Sequence, residues 1–129
     1  ITRKDVFFTQ HNAISLPFKD NSFDVVYCSN TLHHIPNSKA LNSLLLSLLR
    51  VGKKVIIFEI ENPSITGGFA KVLNNYYRKF LKDVGERYLS SHQFETLILN
   101  TYGNIANVRF SNFKNIQGNY LIAEIEKKI

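Results

Sequence analysis

Two continuous apolar segments, residues 23–28 and 54–60, most strongly limit the fold that this chain can adopt. Uninterrupted apolar runs of this length are typical of strands that are covered on both faces of a sheet. The residues between them predict a helix over 37–50, because its leucines repeat at helical spacing along one face: Leu41, Leu44, Leu45, Leu48 and Leu49. The order strand, helix, strand with short connections predicts a right-handed βαβ unit and an α/β fold.

Capping residues mark where the helices begin and end. Residues 36–38, with the sequence Pro-Asn-Ser, offer an N-cap for the first helix, and Gly52 stands where its end is expected. A second helix is predicted to begin at Ser90, because Gln93 follows three residues later as the partner in a capping box. Gly103 ends that helix.

Three further strands complete the predicted secondary structure. Residues 5–9 indicate a short strand by their β-branched and aromatic content. Residues 106–111 and 119–126 predict two more strands near the end of the chain, and the turn at residues 115–119 favours an antiparallel hairpin between them.

The composition describes a single soluble globular domain. The chain has 129 residues, of which 44% are apolar and 20% charged. Its one cysteine, Cys28, excludes an internal disulfide and a zinc site built only of cysteines. No apolar run approaches the roughly 20 residues that cross a bilayer, and the first residues are not a secretory signal, so we expect a cytoplasmic protein.

The net charge of +6 permits an acidic partner but does not define one. Local basic excess is confined to residues 71–87, and a dispersed surplus more often serves solubility than binding. The chain contains no methionine and begins with Ile1, which is consistent with a fragment of a longer gene.

The most specific pattern is the segment NAISLPFKDNSFDVVYCSNTLHHIP at residues 12–36. It closely resembles the middle of the class I S-adenosylmethionine-dependent methyltransferases, in the type-11 group that acts on small molecules. The matching positions are Asn12, Ala13, Leu16, Pro17, Phe18, Ser22, Phe23, Asp24, Val25, Val26, Leu32, His33 and His34. The resemblance implies an α/β fold with a three-layer, Rossmann-like sheet that is mostly parallel and ends in an antiparallel hairpin.

The resemblance also implies that the N-terminal, glycine-rich part of the family's fold is missing. No Gly-x-Gly turn occurs in the 129 residues, although such a turn lets the backbone approach the cofactor. We therefore expect residues 1–129 to form a single, partial methyltransferase domain that binds S-adenosylmethionine poorly by itself and is inactive alone. Residues 64–89 are expected to be a helical insertion that covers the substrate. The aromatic stripe within residues 69–84 is more often ordinary packing than a hydrophobic wall for the substrate.

The resemblance assigns cofactor contacts to two short segments. Asn12, Ala13 and Ile14 would border the adenine, with Asn12 accepting a hydrogen bond from the exocyclic amine where the family usually has aspartate. Ser29 and Asn30, at the end of a strand, would face the methionine part of the cofactor. The alternatives are an Asn12 that stabilises only its own turn and a strand end that is simply exposed to water.

Acceptor and catalytic roles fall on a third group of residues. His33 and His34 lie where the acceptor would approach, and one of them could remove a proton from a hydroxyl or amine. The alternative is that one histidine packs in the core and the other lies on the surface. Glu61, Tyr76 and Tyr77 are the substrate candidates, Glu61 being favoured over Glu59, and no residue cluster suggests a metal ligand set. The expected cofactor is S-adenosylmethionine, and no metal is expected to be required.

These observations favour methyl transfer from S-adenosylmethionine to a small-molecule acceptor by in-line displacement. The alternative is a non-enzymatic interaction module, or a degenerate methyltransferase remnant, that binds an acidic partner through a basic helix at residues 71–82. The segment after Ser29 differs from the Asn-Pro-Pro-Tyr type of enzymes that methylate nucleic-acid amines, which argues against nucleic acid. The strand at residues 23–28 would lack one neighbour. Either residues 5–9 pair beside it or two copies form a homodimer through its exposed edge, and the dimer is slightly favoured.

Overall fold

The structure is a computed structural model that describes residues 5–35, 37–63, 68–69, 71–72, 75–76 and 88–128. Its helices and strands follow one another as β1 (Phe23–Ser29), α1 (Ser38–Val51), β2 (Gly52–Ile60), α2 (Ser91–Tyr102), β3 (Ala106–Asn115) and β4 (Gly118–Lys127). The predictions of two helices, of the two apolar strands and of the final two strands are confirmed.

The four strands form one mixed sheet in the order β1-β2-β4-β3. β1 runs parallel to β2, with Val26 opposite Val55, whereas β4 is antiparallel to both β2 and β3. The α/β fold class and the C-terminal hairpin are therefore confirmed. Within the described residues, the parallel part of the sheet consists of β1 and β2.

Helix α1 begins and ends where the sequence predicts. The side chain of Asn37 accepts hydrogen bonds from the N–H groups of Lys39 at 2.8 Å and Ala40 at 3.2 Å. Gly52 ends the helix in an extended rather than a left-handed conformation. A Cβ atom at Gly52 would lie 2.6 Å from Cγ2 of Val26, so the glycine allows β1 to approach the start of β2 closely.

Helix α2 packs beside α1 on the same face of the sheet. Ser90 and Gln93 form the predicted capping box, and Phe94, Ile98 and Tyr102 are buried. The Tyr102 hydroxyl donates a hydrogen bond to the carbonyl of Leu45, and burial raises the pKa of Tyr102 far above its ordinary value. One hydrophobic core thus joins both helices to the inward face of the sheet.

The predicted strand at residues 5–9 is wrong, because these residues form no strand. Val6, Phe7 and Phe8 are exposed, and strand propensity takes effect only where a neighbouring strand and a packed face are available. In the described sheet β1 is consequently an edge strand. The side chains of Val25 and Tyr27 on it are 52% and 60% exposed.

The predicted insertion at residues 64–89 and its helix fall largely outside the described residues. Residues 68–69, 71–72 and 75–76 are helical and exposed. None of the described helices is both long enough and apolar enough to cross a bilayer.

Candidate functional site

The carboxyl ends of the parallel strands β1 and β2 are joined by Asn30. Its N–H donates a hydrogen bond to the carbonyl of Phe58 at 2.8 Å, and its Oδ1 accepts one from the N–H of Ile60 at 3.2 Å. Asn30 has a φ of 49°, the left-handed conformation that asparagine tolerates better than most residues. The predicted cofactor residues Ser29 and Asn30 therefore lie at the edge of the sheet where ligands of α/β proteins bind.

A short 3-10 turn, Leu32–His34, follows this edge and is held by the carboxylate of Glu59. The carboxylate accepts hydrogen bonds from the N–H groups of Leu32 at 3.1 Å and His33 at 3.4 Å, and it pairs with Nδ1 of His33. Glu59 is only 1% exposed. A carboxylate buried this deeply requires donors of this kind, because desolvation of an unpaired charge is costly.

The two adjacent histidines have different surroundings. His33 is 3% exposed and its ring stacks on that of Tyr88, with centroids 4.8 Å apart. His34 is exposed, and its ring centroid lies 4.1 Å from that of His33. This is the arrangement of the alternative interpretation, with one histidine in the core and one on the surface. The buried histidine nevertheless lies directly against an exposed one at the edge of the sheet.

The predicted adenine residues form a second 3-10 turn, Ala13–Ser15. Oδ1 of Asn12 accepts a hydrogen bond from the N–H of Ile14 at 3.2 Å, so the alternative role of Asn12 in its own turn is present. The side chain of Asn12 is still exposed, as is that of Ile14, and Ala13 packs against the core. Among the described residues nothing accepts a hydrogen bond from the N–H of Ala13.

Arg50 fixes the loop that leads from this turn to β1, a role that the sequence pattern did not reveal. Its guanidinium donates hydrogen bonds to the carbonyls of Leu16 at 2.6 Å and Phe18 at 2.7 Å, and to Oδ1 of Asp20 at 3.0 Å. The carbonyl of Arg50 in turn accepts a hydrogen bond from the N–H of Asn21 at 2.9 Å. The end of α1 thereby anchors this loop.

The three substrate candidates differ in what the structure shows of them. Glu61 is buried at the end of β2, where its N–H donates to the carbonyl of Asn119 at 2.9 Å. It lines a cleft of about 300 Å³ whose other walls include Glu95, Phe110 and Lys114. Tyr76 is exposed, and Tyr77 lies outside the described residues.

The remaining titratable and ligating groups add little chemistry. Burial raises the pKa of the Cys28 thiol, which keeps it protonated and weakly nucleophilic. Within the described part of the chain, no three histidine, cysteine or acidic side chains are arranged to hold a metal ion.

Glu59 is the residue whose importance sequence reasoning underestimated. The signal was available, because Val55, Ile57 and Glu59 alternate along β2 and share its inward face. A glutamate on the buried face of a strand requires a partner. The sequence prediction favours Glu61 instead, because it lies just beyond the strand and therefore nearer to the expected cleft.

Comparison with known proteins agrees with this architecture. Residues 2–57 match the model of a family described as methyltransferase domain. The chain is 32% identical over 85 residues to a demethylmenaquinone methyltransferase of Renibacterium salmoninarum, and these aligned residues make up 66% of this chain and 35% of that protein. It is 35% identical over 83 residues to the ubiquinone/menaquinone biosynthesis C-methyltransferase UbiE of Pasteurella multocida, and that alignment covers 64% of this chain and 30% of that protein.

A solved structure extends the likeness to nearly the whole chain. A SAM-dependent methyltransferase of Thermotoga maritima, described as a possible histamine N-methyltransferase, has a TM-score of 0.63 and 18% identity to this chain. The match covers 95% of this chain and 65% of that one. The chain is related to the class I methyltransferases. The resemblance to their type-11 group and to enzymes that use S-adenosylmethionine is confirmed, and the chain spans about a third of the length of these two curated methyltransferases.

Proposed function

We propose that the protein containing this chain transfers a methyl group from S-adenosylmethionine to a small-molecule acceptor. The observation that supports this proposal best is the convergence of polar groups at the carboxyl ends of β1 and β2. Ser29 and Asn30 end one strand there, the Glu59–His33 pair lies behind the other, and Glu61 borders a cleft beside it. An open α/β sheet binds its ligands at this edge.

The residues present fit the adenine end of S-adenosylmethionine. The N–H of Ala13 is available to a ring nitrogen, the exposed Asn12 offers a second lone pair on Oδ1 to the exocyclic amine, and Ile14 offers an apolar contact. The cofactor, when bound, supplies an electrophilic methyl group on a good leaving group. The chain's own residues therefore need mainly to position the acceptor and accept its proton.

We propose that the acceptor binds in the cleft beside Glu61. The cleft of about 300 Å³ beside Glu61 is lined by the aromatic ring of Phe110 and by charged side chains that include Glu95 and Lys114, and small molecules bind in concave sites of this size. Together with the names of the two quinone methyltransferases, this cleft supports a small aromatic acceptor and gives no support for a nucleic acid.

The edge of β1 supports a proposal about assembly. Its backbone groups on the outer side have no described strand as neighbour, and Val25 and Tyr27 expose apolar surface beside it. Such an edge readily pairs with another strand, so we propose that two copies of this chain pair there. Sedimentation at micromolar concentration should show a dimer for the wild type and a monomer for Val25→Lys.

Calorimetric titration with S-adenosylhomocysteine tests the main proposal. The complete gene product should bind it with a Kd in the micromolar range, whereas the 129-residue chain should bind far more weakly, since it contains no Gly-x-Gly turn. S-Inosylhomocysteine, which lacks the exocyclic amine, is the matched control ligand and should bind at least tenfold more weakly than S-adenosylhomocysteine. Absence of binding by the complete gene product would exclude the proposed function.

The variants Asn12→Asp and Asn12→Leu locate the adenine contact. Aspartate keeps an acceptor for the Ile14 N–H and for the amine, so its affinity should equal or exceed that of the wild type. Leucine removes the acceptor oxygen and should weaken cofactor binding about tenfold, which corresponds to the loss of one ordinary hydrogen bond to the amine. Equal affinity in all three proteins would remove Asn12 from the cofactor site.

A further inference from the structure

We infer that Asn119 is a specificity-determining residue of the cleft beside Glu61, where its amide selects an acceptor whose ring carries a hydrogen-bond-accepting oxygen, such as a carbonyl or phenol oxygen. The inference rests on the proposed function and deepens it, because a cleft that takes a small aromatic acceptor leaves the substituents of the ring open. Asn119 lies outside residues 2–57, which match the family model, so that match assigns it no role.

The inward face of the β3–β4 hairpin changes from apolar to polar where it borders the cleft. On β4 the inward side chains of Ala123 and Leu121 are buried and apolar, and Asn119 follows them at the spacing of alternate residues. On β3 Asn112 follows Phe110 in the same way. Asn119 is only 5% exposed, and an amide buried this deeply requires partners for its polar atoms.

One hydrogen bond orients the amide of Asn119. Nδ2 of Asn112 donates to Oδ1 of Asn119 at 3.1 Å, so the amide oxygen of Asn119 is turned toward β3 and its nitrogen is turned away from Asn112. Among the described residues, Nδ2 of Asn119 donates to no acceptor. Within the described part of the chain, only one side-chain polar atom, Oγ of Ser47, is sealed from solvent without a hydrogen-bond partner. Nδ2 of Asn119 is therefore open to the cleft that this residue lines.

A donor in this position distinguishes ligands by the chemistry of their substituents. Amide N–H groups pair with the lone pairs of an oxygen, whereas an aliphatic substituent leaves them without a partner. The ring of Phe110 lines the same cleft and supplies an apolar surface for the ring of the acceptor. Lys114 and Glu95 also line it, but their side chains are exposed, and exposed charges contribute little to binding because water solvates them.

Fluorine NMR of the complete gene product measures this preference with two neutral probes of nearly the same shape. The ketone para-fluoroacetophenone carries a carbonyl oxygen where para-fluoroethylbenzene has a methylene group. The ketone should bind about fivefold more tightly, the effect of one ordinary hydrogen bond, and it should shift the side-chain amide signals of Asn119 in a 15N spectrum. Affinities within twofold of each other, or Asn119 signals that do not move, overturn the inference.

Asn112→Asp and Asn112→Lys test the orientation of the amide without changing Asn119 itself. Aspartate can only accept, so it turns Nδ2 of Asn119 toward itself and the cleft loses its donor. Lysine can only donate, so it keeps Oδ1 of Asn119 as its partner and leaves Nδ2 facing the cleft. Asn112 is exposed, so both variants should fold, and neutral probes respond little to the added charge. The preference for the ketone should disappear in Asn112→Asp and persist in Asn112→Lys, and the same preference in both variants contradicts the inference.

Asn119→Asp tests the residue itself, and Asn115→Asp is its matched control. A carboxylate in place of the Asn119 amide still accepts from Asn112 but has no N–H for the ketone, so the preference should be lost. Asn115 lies in the turn of the same hairpin, where its Oδ1 accepts from the N–H groups of Gln117 at 2.8 Å and Gly118 at 3.2 Å. Aspartate accepts there equally well, so Asn115→Asp should keep the wild-type preference. Survival of the preference in Asn119→Asp, or its loss in Asn115→Asp as well, removes Asn119 from this role.

Titration with S-adenosylhomocysteine separates this inference from the proposed function. A complete gene product that binds S-adenosylhomocysteine without preferring the ketone keeps the proposed function, and Asn119 loses its role in specificity. A protein that prefers the ketone but does not bind S-adenosylhomocysteine loses the proposed function, and Asn119 then selects the ligand of a different activity.

Discussion

The two ends of strand β2 handle charge in opposite ways. At the carboxyl end, Glu59 and His33 are almost completely buried and their hydrogen bonds are made within the protein. At the amino end, Lys53 pairs with Asp24 at 2.7 Å while both side chains remain largely exposed. The first pair holds a turn in place beside the candidate site. The second replaces contacts with water by contacts with a charged partner, which adds little to the free energy of unfolding. The contribution of such a polar pair to stability is therefore judged from its burial rather than from the distance between its atoms.

Removal of Glu59 should have the largest effect of any single change in this comparison. Glu59→Ala leaves two N–H groups and the His33 ring without their buried acceptor, which should lower the free energy of unfolding by about 3–5 kcal/mol. Urea denaturation followed by circular dichroism measures this. Glu126→Ala, at an exposed position on β4, is the control and should change stability by less than about 0.5 kcal/mol.

A loss below about 1 kcal/mol in Glu59→Ala would contradict the view that this carboxylate anchors the turn. The buried and exposed ends of β2 would then be energetically alike, and the position of the turn Leu32–His34 would have to come from packing of Leu32 alone.

Arg50, just before the amino end of β2, should have an intermediate effect. Its guanidinium donates to two backbone carbonyls of the loop before β1, and hydrogen bonds to charged groups contribute about 1.5–3 kcal/mol. Because the side chain is partly exposed, Arg50→Met should lower the free energy of unfolding by about 2 kcal/mol. Amide hydrogen exchange should accelerate at residues 16–21.

Arg50→Lys is the matched control for this prediction. Lysine keeps the charge but cannot reach two carbonyls with the fixed fork of a guanidinium, so most of the stability should be lost as well. Full stability in Arg50→Lys would show that only the positive charge matters at this position.

The elements predicted correctly from the sequence depend on neighbours in the chain. Asn37 caps α1 and the Ser90–Gln93 box begins α2 through contacts within three residues, and the leucine face of α1 follows from helical spacing alone. The roles of Glu59 and Arg50 depend on partners some 26 to 34 residues away, which no local pattern reports. The strand expected at residues 5–9 failed for the same reason, because a strand needs a neighbour that its own sequence does not contain.

Loss of the helix cap at Asn37 should lower stability less than the changes at Glu59 and Arg50, because the cap contacts only its own helix. Asn37→Ala removes the acceptor for the N–H groups of Lys39 and Ala40 and should lower the free energy of unfolding by about 1 kcal/mol. Thermal denaturation measures the change, and Asn37→Asp should retain stability because aspartate is an equally good cap. Loss of stability in both variants would show that Asn37 has a further role beyond capping.

The exposed pair at the amino end of β2 should have the smallest effect. Hydrogen bonding to Lys53, and then its charge, lower the pKa of Asp24 below its ordinary value. A carboxyl group with a lowered pKa in the folded state contributes stability above its unfolded pKa, and that contribution is lost as the pH falls through the folded value. Lys53→Met should return the pKa of Asp24 to its ordinary value, measured by 13C titration of the carboxyl group. High salt should likewise bring the pKa of Asp24 in the wild type back toward its ordinary value, because salt screens a pair that lies in solvent. A shift that persists in 1 M salt would mean that this pair resembles the buried one more than its exposure indicates.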